Sequence, residues 1–228
     1  AASNGVQFSS IYKGENLADT VRAVGCFADV IVLRHPEVGS SYEAAYYLDL
    51  LREQVMRQPL VISGGDGVGE HPTQALLDMF TIFDLKNRID GLDITLVGDL
   101  RHGRTVHSLA KLIARYEAQD TTLNFVAPKE LSMPANVLRY LEGKGITVNE
   151  TDNLYDVLGQ TDVIYWTRIQ EERFADPASY DAIKDDFIMT PAVLAEAKPD
   201  VILMHPLPRK HEMGTPADHD ALDADPRT

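Results

Sequence analysis

The fold is decided by the stretch at residues 93–127, which reads DITLVGDLRHGRTVHSLAKLIARYEAQDTTLNFVA. It opens with a short, almost continuous apolar run, which is typical of a strand buried on both faces of a sheet. Val106, Leu109, Ala110 and Ile113 then recur at intervals of three and four residues, which places one apolar stripe on a helix. A second apolar run closes the stretch. The whole stretch therefore predicts a strand, a helix and a second strand parallel to the first.

The same alternation extends over the rest of the chain. Strand-like runs are found at Asp29–Arg34, Pro59–Ser63, Asp93–Asp99, Thr122–Ala127, Ile146–Asn149, Asp162–Thr167 and Val201–His205. Thr190 followed by Pro191 is an N-cap with proline at the first helical position, and it predicts a helix through Ala197. The pattern indicates an α/β fold with two parallel-sheet, three-layer αβα domains. We place these domains at residues 1–82 and 83–228, with their junction on a long helix from His71 to about Asn87.

Composition narrows the possible partners. The chain has 228 residues, 44% of them hydrophobic and 25% charged, which is ordinary for a globular protein. A net charge of −14 argues against nucleic acid and anionic lipid as partners. No apolar run reaches the roughly 18 residues of a membrane span and no signal peptide is evident, so we expect a cytoplasmic protein without membrane contact. Cys26 stands among Val24, Phe27 and Val30 and is expected to be a buried structural thiol.

Arginine recurs directly after the predicted strands, where open parallel sheets bind their ligands. The strand ends concerned are Arg34–Pro36, Gly98–Thr105, Thr167–Gln170 and His205–Arg209. The planar guanidinium group donates two parallel hydrogen bonds to a carboxylate or phosphate and stays charged. Any single arginine could form an ordinary structural salt bridge, but their recurrence predicts a ligand with several negative charges.

Other polar features leave alternatives open. His71 and Gln74 are three residues apart at a predicted helix start, where they could contact a neutral amide-like group or cap the helix. The stretch Gly64–Gly69 could bind a nucleotide or form a tight turn, and its spacing is not that of a dinucleotide-binding loop. His102 and His107 are five apart, which does not place both on one helical face and argues against a metal site.

Six strings, in this order and spacing, resemble the aspartate carbamoyltransferase family. They are Lys13–Thr20, Arg34–Pro36, Gly65–Asp78, Gly98–Leu109, Thr167–Phe174 and Met204–Arg209. The resemblance implies the aspartate/ornithine carbamoyltransferase fold. It also implies transfer of the carbamoyl group of carbamoyl phosphate to the amine of L-aspartate, which gives N-carbamoyl-L-aspartate and phosphate in de novo pyrimidine biosynthesis.

The resemblance assigns roles on the carbamoyl phosphate side. Arg34 and His71 would polarise the carbamoyl oxygen, and Arg34 would also contact the phosphate. Gln74 would hold the carbamoyl nitrogen. The backbone carbonyls of Leu207 and Pro208 would receive the amino groups of the substrates. These roles suit a reaction whose tetrahedral centre develops negative charge on oxygen.

On the aspartate side, the resemblance implies that Arg104, Arg168 and Gln170 bind the two carboxylates. Lys13, together with Ser9, would enter the active site of the adjacent subunit, which implies a homotrimer with active sites shared between subunits. The scheme uses positioning and electrostatics, without a covalent intermediate and without a metal or organic cofactor.

The chain also departs from the family pattern. The family's phosphate-binding Ser-Thr-Arg-Thr motif belongs before the first residue of this sequence, and family members continue beyond the final Asp-Pro-Arg string. Lys210-His211 replaces the more usual Val-Asp or Val-Asn. We therefore expect a piece of a longer protein, with little or no activity alone.

The sequence also bears on three other functions. An ornithine carbamoyltransferase would carry cysteine in the string that reads His205-Pro206-Leu207-Pro208 here, and it would have to recognise a cationic substrate. A non-enzymatic relative with an assembly or regulatory role would agree with the absence of the Ser-Thr-Arg-Thr motif from this sequence. A dinucleotide-binding oxidoreductase would require a glycine fingerprint and an acidic ribose ligand, and the sequence has neither.

Overall fold

A computed structural model describes residues 14–55, 59–169, 177–181, 183–185 and 187–228, without the side chains of residues 53–55, 177 and 179. Ser9, Lys13 and Gln170, three of the predicted site residues, lie outside this part of the chain. The protein divides into two compact units, Ala1–Thr73 and Gln74–Thr228. Among the described residues, no helix has the length and apolar character needed to cross a membrane.

In its described residues, the first unit contains two parallel strands and two helices. Its elements are α1 (Leu17–Gly25), β1 (Val30–His35), α2 (Ser40–Val55) and β2 (Leu60–Asp66). The two strands pair in register from Val30 opposite Leu60 to Leu33 opposite Ser63. Asn16 caps α1 by accepting a hydrogen bond from the N–H of Asp19.

Alternating burial distinguishes the two faces of this small sheet. Ile31, Leu33 and Val61 pack against a core cluster supplied by α1 and α2. The opposite face carries large exposed side chains, namely Val30, Val32, Leu60 and Ile62, which are 44% to 69% exposed. The prediction that every strand is buried on both faces is therefore wrong for β1 and β2. In the described part of this unit, the helical core cluster covers a single face.

The prediction of a buried Cys26 is also wrong. Cys26 is exposed, follows the last residue of α1, and donates a hydrogen bond from Sγ to the carbonyl of Arg22 at 3.4 Å. Its neighbour Phe27 is 87% exposed. The apolar residues around this thiol point outward where the helix ends, so they form no core around it.

The second unit alternates strands and helices through most of its length. Its elements are α3 (Pro72–Lys86), β3 (Asp93–Val97), α4 (Arg104–Tyr116), β4 (Thr122–Val126), α5 (Ala135–Glu142), β5 (Thr147–Thr151), α6 (Tyr155–Leu158), β6 (Val163–Trp166), α7 (Pro177–Asp181), α8 (Pro191–Ala195), β7 (Ile202–Met204) and α9 (Pro216–Asp223). The five strands in its described part are all parallel, in the order β5-β4-β3-β6-β7.

The central strands β3, β4 and β6 are buried on both faces, as predicted. The edge strand β5 is partly exposed along its length, so the prediction is wrong for it. One cluster contains Ile94 and Leu96 together with the α4 stripe, and a second contains Val97 and Trp166. Helix α8 begins as predicted, with Thr190 accepting a hydrogen bond from the N–H of Val193, and it ends two residues before Ala197. This unit is a three-layer α/β domain.

Candidate active site

The strand order of the second unit reverses at the pair β3–β6. From β3 the chain moves through α4 to β4 on one side, whereas β6 and β7 lie on the other side. Sheets of this kind bind ligands beyond the carboxyl ends of the two strands where the order reverses. Arg104 is the first residue of α4, after β3, and Arg168 follows β6 by two residues. Both arginines are half-buried at this switch point.

A close backbone approach joins these two strand ends. Thr167 donates from its N–H and from Oγ1 to the carbonyl of Val97, both at 2.9 Å. Gly98 has a φ of +113°, a conformation that glycine adopts without a steric penalty. It also lies so close to Thr167 that no side chain fits between them. The positions of Arg104 and Arg168 are therefore linked through their preceding residues.

A buried carboxylate shapes the turn that leads into α4. Asp99 is fully buried and accepts hydrogen bonds from the N–H of His102 at 3.0 Å and from its Nδ1 at 3.1 Å. A β-carbon on Gly103 would stand 2.5 Å from the carbonyl oxygen of Asp99, so the turn closes tightly before Arg104. Asp99 thus fixes the point at which α4 begins.

The two histidines of the metal hypothesis both have structural partners. His102 pairs with Asp99, and the Nε2 atom of buried His107 donates to the carbonyl of Leu100 at 2.7 Å. Among the residues that the structure describes, no group of three His, Cys, Asp or Glu side chains could hold a metal ion.

Gln74 and Leu207, both predicted site residues, line the same cavity. Its volume is about 310 Å³, and it lies between the first half of α3 and the segment after β7. The complete lining is Gln74, Leu77, Asp78, Thr81, Leu203, Met204, His205, Pro206 and Leu207. The structure therefore brings together two residues that the sequence assigned to the carbamoyl group and the substrate amines.

Asp78 lies beside Gln74, four residues further along α3, and is 4% exposed. Gln74 donates from Nε2 to Oδ1 of this carboxylate at 2.8 Å, and the Tyr165 hydroxyl donates to Oδ2 at 2.7 Å. Burial raises the pKa of Asp78, although the two donated hydrogen bonds partly offset that effect. Burial and the neighbouring Asp78 likewise raise the pKa of Tyr165, while a hydrogen bond with Thr105 acts in the opposite direction.

Sequence reasoning did not identify Asp78 or Tyr165 as site residues. The signal for Asp78 was present, because a residue four positions after Gln74 lies on the same helical face. Tyr165 gave no such signal, since its position next to Asp78 depends on the packing of β6 against α3.

The turn after β7 is held by two buried polar side chains. Leu207 has a φ of +57°, unusual for a residue with a branched side chain, and its peptide bond to Pro208 is cis. Its N–H donates to Nδ1 of His205 at 2.9 Å. Nε2 of the same ring lies 3.2 Å from Oε1 of Glu212.

Glu212 is 2% exposed and also accepts a hydrogen bond from the N–H of Lys210 at 2.7 Å. Burial alone would raise the pKa of this carboxyl group. The interactions with His205 and Lys210 outweigh burial, so the pKa of Glu212 is lowered. The turn that carries the Leu207 carbonyl is thus held by His205 and Glu212 together.

Arg209, another of the strand-end arginines, forms an ordinary structural salt bridge, which was the alternative to ligand binding for each of these arginines. Its guanidinium group makes two hydrogen bonds to the carboxylate of Asp223, at 2.5 Å and 3.0 Å. This pair fastens the segment after β7 to α9.

In the first unit, Arg34 lies at the carboxyl end of β1 with its side chain exposed. The glycine-rich stretch after β2 packs against the residues that follow Arg34. A β-carbon on Gly67 would stand 2.0 Å from the carbonyl of Pro36, and the N–H of Gly67 donates to the carbonyl of His35 at 2.9 Å. The described geometry is that of a tight turn, which was the alternative to a nucleotide loop.

Buried Asp66 closes this turn by accepting hydrogen bonds from the N–H groups of Gly39 at 2.6 Å and Glu70 at 2.5 Å. His71 follows directly, with Nδ1 3.3 Å from Oγ1 of Thr73, and precedes the first residue of α3. Arg34 thus lies at the carboxyl end of β1, and His71 lies in the segment that follows the carboxyl end of the neighbouring strand β2.

Two family models match the chain along almost its full length. The carbamoyl-P binding domain of aspartate/ornithine carbamoyltransferase matches residues 1–84, and the Asp/Orn binding domain matches residues 90–224.

Individual proteins are similar over the same range. The chain is 48% identical over 212 residues to the multifunctional protein CAD of Squalus acanthias, covering 93% of this chain and 9% of that protein. It is 47% identical over 211 residues to the aspartate carbamoyltransferase catalytic subunit of Methanocella arvoryzae, covering 92% of this chain. It spans 65% of the length of that subunit.

A solved structure resembles the whole chain. The aspartate transcarbamoylase of Trypanosoma cruzi, crystallised with carbamoyl phosphate and aspartate, superposes with a TM-score of 0.80 at 41% identity. The match covers 98% of this chain and 66% of the crystallised one. With both family models matched in order, the chain belongs to the aspartate/ornithine carbamoyltransferase family.

Proposed function

We propose that the complete gene product is an aspartate carbamoyltransferase. It transfers the carbamoyl group of carbamoyl phosphate to the amine of L-aspartate, forming N-carbamoyl-L-aspartate and phosphate in de novo pyrimidine biosynthesis. The observation that carries this proposal is the placement of Arg104 and Arg168 at the carboxyl ends of β3 and β6, where the strand order reverses.

Two guanidinium groups at one switch point suit a substrate with two carboxylates. Each carboxylate can accept a bidentate pair of hydrogen bonds from one arginine. Half-burial strengthens these interactions because water screens them less than at an open surface. Gln170 would complete the aspartate site. An ornithine side chain would bring a positive charge towards the same arginines, which disfavours the other substrate class of the family.

The carbamoyl phosphate site would contain Arg34, His71 and Gln74. The amine of aspartate attacks the carbamoyl carbon, and the carbamoyl oxygen gains negative charge in the tetrahedral intermediate. Arg34 and His71 would stabilise that charge, with Arg34 also contacting the phosphate. The C–O bond to phosphate then breaks, phosphate departs with the electron pair, and the proton of the amine passes to phosphate.

Backbone carbonyls would orient the nitrogen atoms of both substrates. The carbonyls of Leu207 and Pro208 follow the turn held by His205, and carbonyl oxygens accept from N–H groups without adding charge. Leu207 shares a cavity with Gln74, which supports a common role near the carbamoyl nitrogen. The reaction would be accelerated mainly by holding the two substrates in line.

The proposed assembly is a cytoplasmic homotrimer with active sites shared between subunits. In it, Lys13 and Ser9 of one subunit would act in the site of the next, with Lys13 contributing to catalysis and to aspartate binding and Ser9 to carbamoyl phosphate binding. The similarity to the T. cruzi enzyme crystallised with both substrates supports the substrate assignment.

The test is to purify the complete gene product, supply carbamoyl phosphate, and compare L-aspartate with L-ornithine as acceptors. We expect equal amounts of N-carbamoyl-L-aspartate and phosphate, with negligible carbamoylation of ornithine. Preferred use of ornithine would overturn the substrate assignment. A folded protein with no transfer to either acceptor would support a non-enzymatic role instead.

A further inference from the structure

Asp78 is a buried carboxylate for which the proposed reaction has no direct use. It is 4% exposed, and both of its oxygens accept hydrogen bonds from side chains, Oδ1 from Gln74 and Oδ2 from Tyr165. Removing a carboxylate from water is unfavourable, and hydrogen bonds offset that cost only in part. The carboxylate is therefore stabilised in this position only together with the two side chains that donate to it.

The interaction fixes which way the Gln74 carboxamide faces. An ionised carboxylate only accepts hydrogen bonds, so the carboxamide atom that lies 2.8 Å from Oδ1 must be the donor Nε2. Rotating the carboxamide by half a turn would place Oε1 against Oδ1, and two acceptors at that distance repel each other. The Oε1 edge of Gln74 is thus held on the side away from Asp78.

Tyr165 holds Asp78 in turn. Its hydroxyl donates to Oδ2 at 2.7 Å from β6, the strand that Arg168 follows by two residues. Gln74 and Asp78 are on consecutive turns of α3, so the network joins this helix to the sheet. The rotamer of Asp78 is therefore fixed from two directions.

We propose that Asp78, held by Tyr165, is a positioning residue that makes Gln74 present its carbonyl oxygen to the NH₂ group of the substrate and so selects carbamoyl phosphate over acyl phosphates. This inference rests on the proposed function, because it takes Gln74 to be the residue that holds the carbamoyl nitrogen. A site built to accept hydrogen bonds from an amide nitrogen rejects an analogue that lacks those hydrogens. Acetyl phosphate is such an analogue, since a methyl group replaces the nitrogen.

The experiment uses the complete gene product and the variant Asp78→Asn. Asparagine keeps the size of the side chain, but its amide can either accept from or donate to Gln74, so both carboxamide orientations become available. The measured quantities are the KM for carbamoyl phosphate, the Ki of acetyl phosphate, the KM for aspartate and kcat. We expect the ratio of the acetyl phosphate Ki to the carbamoyl phosphate KM to fall about tenfold, while the KM for aspartate is retained.

Asp84→Asn is the matched control. Asp84 lies on the same helix and is exposed, so this variant makes the same change in charge without touching Gln74. Its selectivity ratio should equal that of the wild type. A folded Asp78→Asn protein with wild-type selectivity would overturn the inference, and so would an equal loss in both variants.

A second variant covers the case in which Asp78→Asn does not fold. Tyr165→Phe keeps the carboxylate and removes one of its two donors, so the selectivity ratio should fall in the same direction but by less. An unchanged ratio in Tyr165→Phe would count against the network. Failure of the proposed function has a separate signature, because the wild-type protein itself would then form no N-carbamoyl-L-aspartate.

Discussion

Nζ of Lys198 lies 2.8 Å from Oδ1 of Asp162, and the N–H of Asp93 donates to Oδ2 of the same carboxylate at 3.0 Å. Asp93 begins β3, Asp162 precedes β6, and Lys198 lies between α8 and β7. One carboxylate therefore fastens together the amino ends of neighbouring segments, at the edge of the sheet opposite to the arginines.

This arrangement predicts a pH-dependent contribution to stability. Burial alone would raise the pKa of Asp162, but the hydrogen bonds from Lys198 and Asp93 outweigh it and lower the pKa below its ordinary value. The stabilisation is then complete above the unfolded pKa of about 3.9 and is lost as the pH falls through the lower folded value. At pH 7, Asp162→Asn should lower the free energy of unfolding by about 1–3 kcal/mol.

Urea unfolding at pH 7 and at acidic pH measures this difference. It should shrink on acidification, and a difference that grew would contradict the assigned sign. Asp181→Asn is the control, because Asp181 pairs with Lys184 at the surface and such exposed pairs contribute little.

The contact of Gly98 with Thr167 predicts a large destabilisation from a single methyl group. In Gly98→Ala the new β-carbon would stand 2.1 Å from the carbonyl oxygen of Thr167, so the ends of β3 and β6 must separate. We expect a loss of about 2–4 kcal/mol in the free energy of unfolding. In Gly159→Ala, by contrast, no atom lies within 4 Å of the new carbon, so thermal melting should show little change or a small gain.

Arg168→Ala in the complete gene product should weaken aspartate binding by about 2–5 kcal/mol, because a substrate carboxylate would lose its charged partner. Carbamoyl phosphate binding should barely change. Isothermal titration with each substrate separates the two effects. Arg139→Ala removes an exposed arginine of α5 and should leave both affinities unchanged. An aspartate affinity that is unchanged in Arg168→Ala would show that Arg168 does not bind aspartate.

The exposed face of the small sheet predicts poor solubility of the isolated 228-residue polypeptide. Val32 and Ile62 face each other on neighbouring strands and are 69% and 44% exposed. Large exposed apolar patches promote association. Size-exclusion chromatography with light scattering should show aggregates. Replacing both residues with threonine should reduce them at little cost in stability, because threonine suits strands as valine does. A monodisperse wild-type monomer would refute this expectation.

The sequence predicted the seven strands and the family because both depend on local signals. Short apolar runs mark buried strands, and the motifs directly after them, such as Gly98–Thr105, can be read without knowledge of the fold. The N-cap at Thr190 was predicted for the same reason.

Relationships between distant elements could not be predicted from such signals. In the sequence, the apolar residues around Cys26 look like part of a core. The structure shows that α1 ends here and that Phe27 is exposed. Tyr165 meets Asp78 across 87 residues of sequence, and that separation contains no pattern. The roles of Ser9, Lys13 and Gln170 stay predictions, because these residues lie outside the described part of the chain.

The double hydrogen bond from Thr167 to Val97 has a consequence for induced fit. Because hydrogen bonds join the backbone segments that lead to Arg104 and Arg168, we expect a ligand that moves one segment to move the other as well. An amino acid with a single carboxylate, such as alanine, would bind one of the two arginines but would still have to move both segments. Recognition of the diacid would then approach an all-or-none event.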